Sequence, residues 1–137
     1  MSDNTVLVAC DSPTQKLYLE QLLRKDGFNV LTATDGQSVL EITATEHIEF
    51  LVMDVVMPDM DGFDVCWTLK NDAITKEIPV ILISSKFNQR TLDRALRVGA
   101  QAYISKADVK RDLLGCIDRL TNNGRETSHT KTAASSA

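Results

Sequence analysis

Four groups in this chain are of types that together can handle a phosphoryl group, and each stands where a short apolar run ends. Asp54 closes the run Phe50-Leu51-Val52-Met53, Asp11 follows Val6 to Cys10, Ser84 and Ser85 follow Pro79 to Ile83, and Lys106 comes just after Ala102 to Ile104. A carboxylate can act as a nucleophile and form an aspartyl-phosphate. Two carboxylates and a few waters can hold Mg²⁺, which prefers octahedral oxygen sites and keeps much of its water. A metal and a lysine offset charge on a transferring phosphoryl group, and a serine hydroxyl can donate to one of its oxygens. Each group has a plainer reading: Asp11 and Ser84 as helix caps, Lys106 as a solvated lysine, Asp54 as a loop-former. Their joint placement favours a functional site. No GxxxxGK[ST] pattern is present, so the chain is not built to bind ATP through a P-loop.

Positioning such groups requires the runs to be neighbouring strands. A stretch of four apolar residues before an acid suits a strand buried on both faces of a parallel sheet. Strands are expected at Val6 to Cys10, Val30 to Ala33, the run ending at Asp54, Pro79 to Ile83, and Ala102 to Ile104. Between them lie helical patterns. Asp11 or Ser12 can cap the first, with Pro13 in its first turn, Leu19, Leu22 and Leu23 on one face and Gly27 as its stop. The second follows Asp35-Gly36, with Val39, Leu40, Thr43 and Ala44 inward. The third starts near Gly62 and carries Phe63, Cys66 and Trp67 along one side. Leu92, Ala95, Leu96 and Gly99 form the inner face of the fourth; Asp108 caps the fifth, which buries Leu113, Ile117 and Leu120. Five strands alternating with five helices give an α/β, doubly wound parallel sheet with right-handed crossovers. In one common order of such sheets, strands one, three, four and five are neighbours. The four groups then converge on the crevice at the strands' carboxyl ends.

At 137 residues the chain fits one domain with a real core. The net charge of −4 argues against a general nucleic-acid binder. No apolar stretch is long enough for membrane insertion, and the N-terminus lacks a signal-peptide pattern. Cys10, Cys66 and Cys116 are far apart and odd in number, which predicts reduced thiols in a cytoplasmic protein. The last residues, 122–137, are rich in Ser, Thr and Ala without a large apolar side chain, and are expected to be a disordered tail after a domain at 5–121.

Four segments, Val8-Ala9-Cys10-Asp11-Ser12-Pro13-Thr14, Met53 to Gly62, Ile78 to Lys86, and Gly99 to Lys106, resemble the receiver domain of two-component response regulators. The resemblance covers about Val6 to Leu120 and implies a flavodoxin-like strand order 2-1-3-4-5. It further implies that Asp54 is the phosphoacceptor and that Asp11, Asp54 and the backbone carbonyl of Val56 hold Mg²⁺. Ser84 takes the place of the hydroxyl that grips the phosphoryl group, and Lys106 that of its ion-pair partner. Tyr103 matches an aromatic switch that turns inward when the hydroxyl moves. A histidine kinase or phosphotransfer protein would supply the phosphoryl group, and a downstream protein effector would read the result. The chain is expected to act as a stand-alone regulator, catalysing only its own phosphorylation and dephosphorylation. The Asp-Ser-Pro-Thr segment is similar to receivers of chemotaxis and pilus-motility pathways.

Two positions depart from the pattern. Most members have two adjacent acids after the first strand; here the first is Cys10, and a thiol is a poor partner for a hard cation. Weaker metal binding is expected, with Cys10 a small buried thiol. Ala107 stands where Pro usually follows the lysine. A cis peptide without Pro costs about 3 kcal/mol, so this loop either relaxes to trans or holds strain. Away from the site, Arg90, Arg94 and Arg97 recur at helical spacing and offer a basic docking stripe in an acidic protein. Two other readings stay open: a pseudo-receiver used as a constitutive binding module, and a carboxylate-nucleophile phosphatase. The latter would place an acid two residues after the nucleophile, where this chain has Val56.

Overall fold

The computed structural model describes residues 4–122. The expected tail therefore lies, apart from Asn122, outside the described residues. Five strands, β1 (Thr5–Ala9), β2 (Asn29–Ala33), β3 (Leu51–Asp54), β4 (Val80–Ser84) and β5 (Ala102–Ser105), form one sheet in the order β2-β1-β3-β4-β5. Every pairing is parallel. They alternate with α1 (Pro13–Lys25), α2 (Gly36–Thr45), α3 (Gly62–Lys70), α4 (Gln89–Arg97) and α5 (Val109–Asn122), the last preceded by a 3₁₀ turn at Lys106–Asp108.

The sheet is buried on both faces, as its apolar runs demand. Successive strand side chains point to opposite sides. Leu7, Leu51, Met53 and Leu82 meet Val39, Phe63, Cys66 and Ala95 of α2, α3 and α4. Val6, Val8, Val52, Ile81 and Ile83 meet Leu19 and Leu23 of α1 and Leu113 and Ile117 of α5. Burying one such side chain is worth about 1.5–3 kcal/mol, so these two layers hold the sheet in register. The register places Asp54 beside Ile83 and Ser84 beside Ser105, which brings the carboxyl ends of three strands level.

Local chemistry sets the helix ends. Ser12 accepts from the Gln15 N–H, Asp35 from that of Ser38 and Asp61 from that of Phe63; Asn88 and Thr91 cap each other reciprocally. Gly27 follows α1 at φ +96°, a conformation that favours glycine.

Several expectations shift. Ser84 and Ser105 belong to strands rather than to the loops after them. Leu96, expected on an inner face, is 49% exposed, and Trp67, expected on one side with Phe63 and Cys66, is 55% exposed. Each follows a buried neighbour, Ala95 or Cys66, and one residue along a helix turns the side chain about 100° away. Ala44 is also exposed. Asp108 is not a helix cap: it ends the 3₁₀ turn that runs straight into α5, and it pairs with Arg111 at 3.4 Å. No described peptide is cis, so the 106–107 bond is trans.

Candidate functional site

The last residue of β3 is an acid held almost completely out of water. Asp54 is 3% exposed, which requires its charge to be matched within the protein. One oxygen, Oδ2, lies 2.8 Å from Nζ of Lys106, and the other, Oδ1, accepts the Val56 N–H at 3.0 Å. Lys106 reaches across from the end of β5, two strands away in the sheet. A charge-assisted bond of this kind is stronger than a neutral one and fixes the carboxylate's direction.

The loop after β3 is shaped around that acid. The Val55 N–H donates to the Ile83 carbonyl, and the Val55 carbonyl accepts from Gly62 at 2.7 Å. Gly62 must be glycine here: a Cβ would sit 2.7 Å from Cα of Val55 and 2.8 Å from the carbonyl oxygen of Asp54. Val56 is thereby pushed outward, 68% exposed, and among the described residues no donor reaches its carbonyl. Asp59 ties the far part of the loop to α2. Its two oxygens accept the N–H groups of Gly36, at 2.7 Å, and Gln37, at 3.0 Å. The Gly36 bond, with the other backbone donors, holds the Asp59 carboxyl below the usual range.

Cys10 and Asp11 form the near wall. Cys10 is buried, and its thiol donates to Oε1 of Gln15 at 3.2 Å, with the Ser12 carbonyl at 3.7 Å and Asp54 Oδ2 at 3.9 Å. Burial raises the thiol's pKa, helped by the negative charge of Asp54, so it stays protonated and unreactive. The expected small buried thiol is what the structure contains. Asp11, next along, is exposed at the rim. Among the described residues no three His, Cys, Asp or Glu side chains make a ready-built metal cluster. The set of Asp11, Asp54 and the Val56 carbonyl is nevertheless all oxygen, which fits a hard cation that keeps several waters.

Ser84 is 3% exposed at the end of β4, and its Oγ accepts the Lys86 N–H at 3.0 Å. The carbonyl of the same Lys86 accepts from the Tyr103 hydroxyl at 2.5 Å and from Thr91 Oγ1 at 3.2 Å. Tyr103 is already inward here: it is 2% exposed and stacks on Phe87 with ring centroids 5.0 Å apart.

A model of the response regulator receiver domain matches residues 6–118. The chain belongs to this family. The receiver is 38% identical over 112 residues to Protein PilG of Pseudomonas aeruginosa, covering 82% of this chain and 83% of that one. With Protein PilH of the same organism it shares 34% over 113 residues, 82% and 93% of the two chains. Among solved structures, the receiver domain of a signal transduction histidine kinase from Syntrophus aciditrophicus superposes with a TM-score of 0.79 at 30% identity, covering 94% and 98%.

Of the residues singled out in the receiver's sequence, Asp54 and Lys106 are in contact, with Ser84 on the neighbouring strand and Asp11 one residue from a thiol that touches Asp54. The arginine stripe is less uniform than its spacing implied. Arg94 is drawn onto α3, its guanidinium 4.4 Å from the centre of the Phe63 ring and 3.8 Å from both Asp61 and Asp64. Arg90 and Arg97 are exposed and have no ion pair among the described residues. Gln15 and Asp59 carry no motif that marks them along the chain. The only signals were an amide in the first turn of α1 and an acid two residues before an N-cap.

Proposed function

We propose that this receiver accepts a phosphoryl group on Asp54 from a histidine kinase or phosphotransfer protein, and that the modified form is read by a protein partner. The observation that carries this reading is the buried Asp54 carboxylate held by Lys106 at 2.8 Å, at the carboxyl end of a central strand. A carboxylate oxygen attacks phosphorus, forming an O–P bond while the P–N bond of a phosphohistidine, or the P–O bond of acetyl phosphate, breaks. The leaving group departs with the bonding electron pair. Lys106 offsets the phosphoryl charge, and the Ser84 hydroxyl donates to one of its oxygens after leaving the Lys86 N–H. Asp11, Asp54 and the Val56 carbonyl would hold Mg²⁺, which when bound supplies positive charge against the phosphoryl oxygens. The receiver catalyses only its own phosphorylation and dephosphorylation.

Output would pass through the Lys86 peptide. If Ser84 turns to the phosphoryl group, the Lys86 N–H loses its acceptor while Tyr103 and Thr91 still hold the Lys86 carbonyl. Tyr103 and Phe87 line a groove of about 270 Å³ beside α5, together with Arg111 and Arg119. A partner that prefers one arrangement of this surface would convert phosphorylation into binding. The test of the central claim is incubation with acetyl phosphate and Mg²⁺, followed by intact mass measurement. One hydroxylamine-sensitive phosphoryl group is expected, absent from Asp54→Asn. Full labelling of that variant overturns the assignment.

A further inference from the structure

We propose that the side-chain carbonyl of Gln15 does for the bound cation what a second acid would do, accepting a hydrogen bond from a metal-bound water in place of the carboxylate that Cys10 lacks. The inference rests on the reading of Asp11 and Asp54 as metal ligands.

The waters of a hydrated hard cation are strong donors and need oxygen acceptors around them. A protonated thiol offers them little: it is itself a donor, and its sulfur is a weak, soft acceptor. The wall of the site at Cys10 therefore needs an oxygen from elsewhere. Gln15 brings one. Its backbone N–H is fixed by Ser12 Oγ at 3.2 Å in the first turn of α1. Its half-buried side chain lies over Cys10, with Oε1 3.2 Å from Sγ, and the same Sγ is 3.9 Å from Oδ2 of Asp54. The amide oxygen and the carboxylate of Asp54 thus share contact with one sulfur atom. Because the thiol is a donor, it selects the oxygen end of the amide rather than the nitrogen end, and so aims an acceptor at this wall. Three acceptors surround the one thiol proton, and Gln15 is the nearest of them. Among the described residues the Gln15 side chain has no other hydrogen-bond partner, so the rest of the fold does not require an amide there.

The plainer alternative is that Gln15 only satisfies the buried thiol. Direct Mg²⁺ titration by calorimetry, without a phosphodonor and at fixed ionic strength, separates the two. Gln15→Leu should bind Mg²⁺ about fivefold more weakly, the effect of one ordinary hydrogen bond. Gln15→Glu should bind it more tightly. In a Cys10→Asp background, where a carboxylate occupies the wall, Gln15→Leu should cost less than about twofold, since the two residues serve one role. Gln15→Leu binding Mg²⁺ as well as the parent, with only its metal-free melting temperature lowered, overturns the proposal. If Gln15→Leu does not fold, Gln15→Glu decides alone, and unchanged affinity there overturns it. Asp11→Asn is the control for the underlying site. If it binds Mg²⁺ normally, the ligand assignment itself is wrong; if it loses Mg²⁺ while Gln15→Leu does not, only the role of Gln15 falls.

Discussion

The hydroxyl of Tyr103 and the hydroxyl of Ser84 hold opposite ends of one residue: Tyr103 donates to the Lys86 carbonyl at 2.5 Å, and Ser84 accepts from the Lys86 N–H at 3.0 Å. Ser84, on the strand beside Asp54, and Tyr103, at the α5 groove, are therefore linked through two hydrogen bonds. Tyr103→Phe removes one while keeping the stacked ring. Because Thr91 still reaches the Lys86 carbonyl, the expected loss of stability is at the low end, about 0.5–1 kcal/mol by urea unfolding. Tyr103→Ala removes the ring as well and should cost about 3–5 kcal/mol. Equal losses in the two variants would mean that the ring contributes nothing through its contacts with Phe87 and Phe63.

Gly62 sets how closely the loop can fold back on Asp54. Gly62→Ala forces a methyl group against the backbone of Val55 and Asp54, which cannot yield as a flexible side chain would. Overpacking of this kind costs about 1–3 kcal/mol. Because one of the crowded atoms is the backbone carbonyl oxygen of Asp54, the proposed labelling by acetyl phosphate should also slow at temperatures where the variant is fully folded. Normal labelling kinetics in a destabilised Gly62→Ala would show that the close approach serves stability alone.

Asp59 gives a pH signature. Its carboxyl is held below its ordinary value by the Gly36 and Gln37 N–H groups, so the folded state favours the charged form. A group with a depressed folded pKa contributes stability that is present above the unfolded value, about 3.9, and lost as pH falls through the folded one. Asp59→Ala should therefore have a lower urea midpoint than the parent at pH 7, and the two should converge as pH falls below the unfolded value and through the folded one. A gap that persists undiminished in acid would assign the loss to something other than this carboxylate.

The arginine stripe divides into two roles. Arg94 faces Phe63, Asp61 and Asp64, while Arg90 and Arg97 face solvent. The long, exposed ion pairs of Arg94 contribute little, and its place over the ring about 0.5–1 kcal/mol. Reversing Arg90 and Arg97 to Glu should leave the melting temperature and Asp54 labelling unchanged and slow association with an acidic partner, most at low salt. Arg94→Glu should instead lower the melting temperature. If the outer pair proves the destabilising one, the division is wrong.

Cys10→Asp should tighten Mg²⁺ binding and lower stability without metal. The new carboxylate would be buried within reach of Asp54, where like charges repel. Metal-free unfolding and a Mg²⁺ titration on the same preparation measure both effects. A variant that is more stable without metal would show that the thiol, not the crowding of acids, is the unfavourable element of this wall.

The strands, their parallel sense and the four strand-end groups were legible in the apolar runs, while the order of the strands came with the resemblance to receiver domains. Apolar runs such as Val80 to Ile83 can be buried on two faces only in a covered parallel sheet, and that sheet has one crevice at its carboxyl ends. Asp54 and Lys106 were legible for that reason, although 52 positions separate them. The tertiary structure alone decided what helical spacing cannot encode. The period of a helix tells which side chains share a face, not which element stands opposite. Arg94 is therefore engaged by α3 while Arg90 and Arg97 are not, and Leu96 and Trp67 lie outside the core. The same holds for Gln15 over Cys10, Asp59 on the start of α2, and Tyr103 turned inward onto Lys86. Each is a polar side chain whose partner was fixed by packing between elements, and distance in space, not pattern along the chain, selected it.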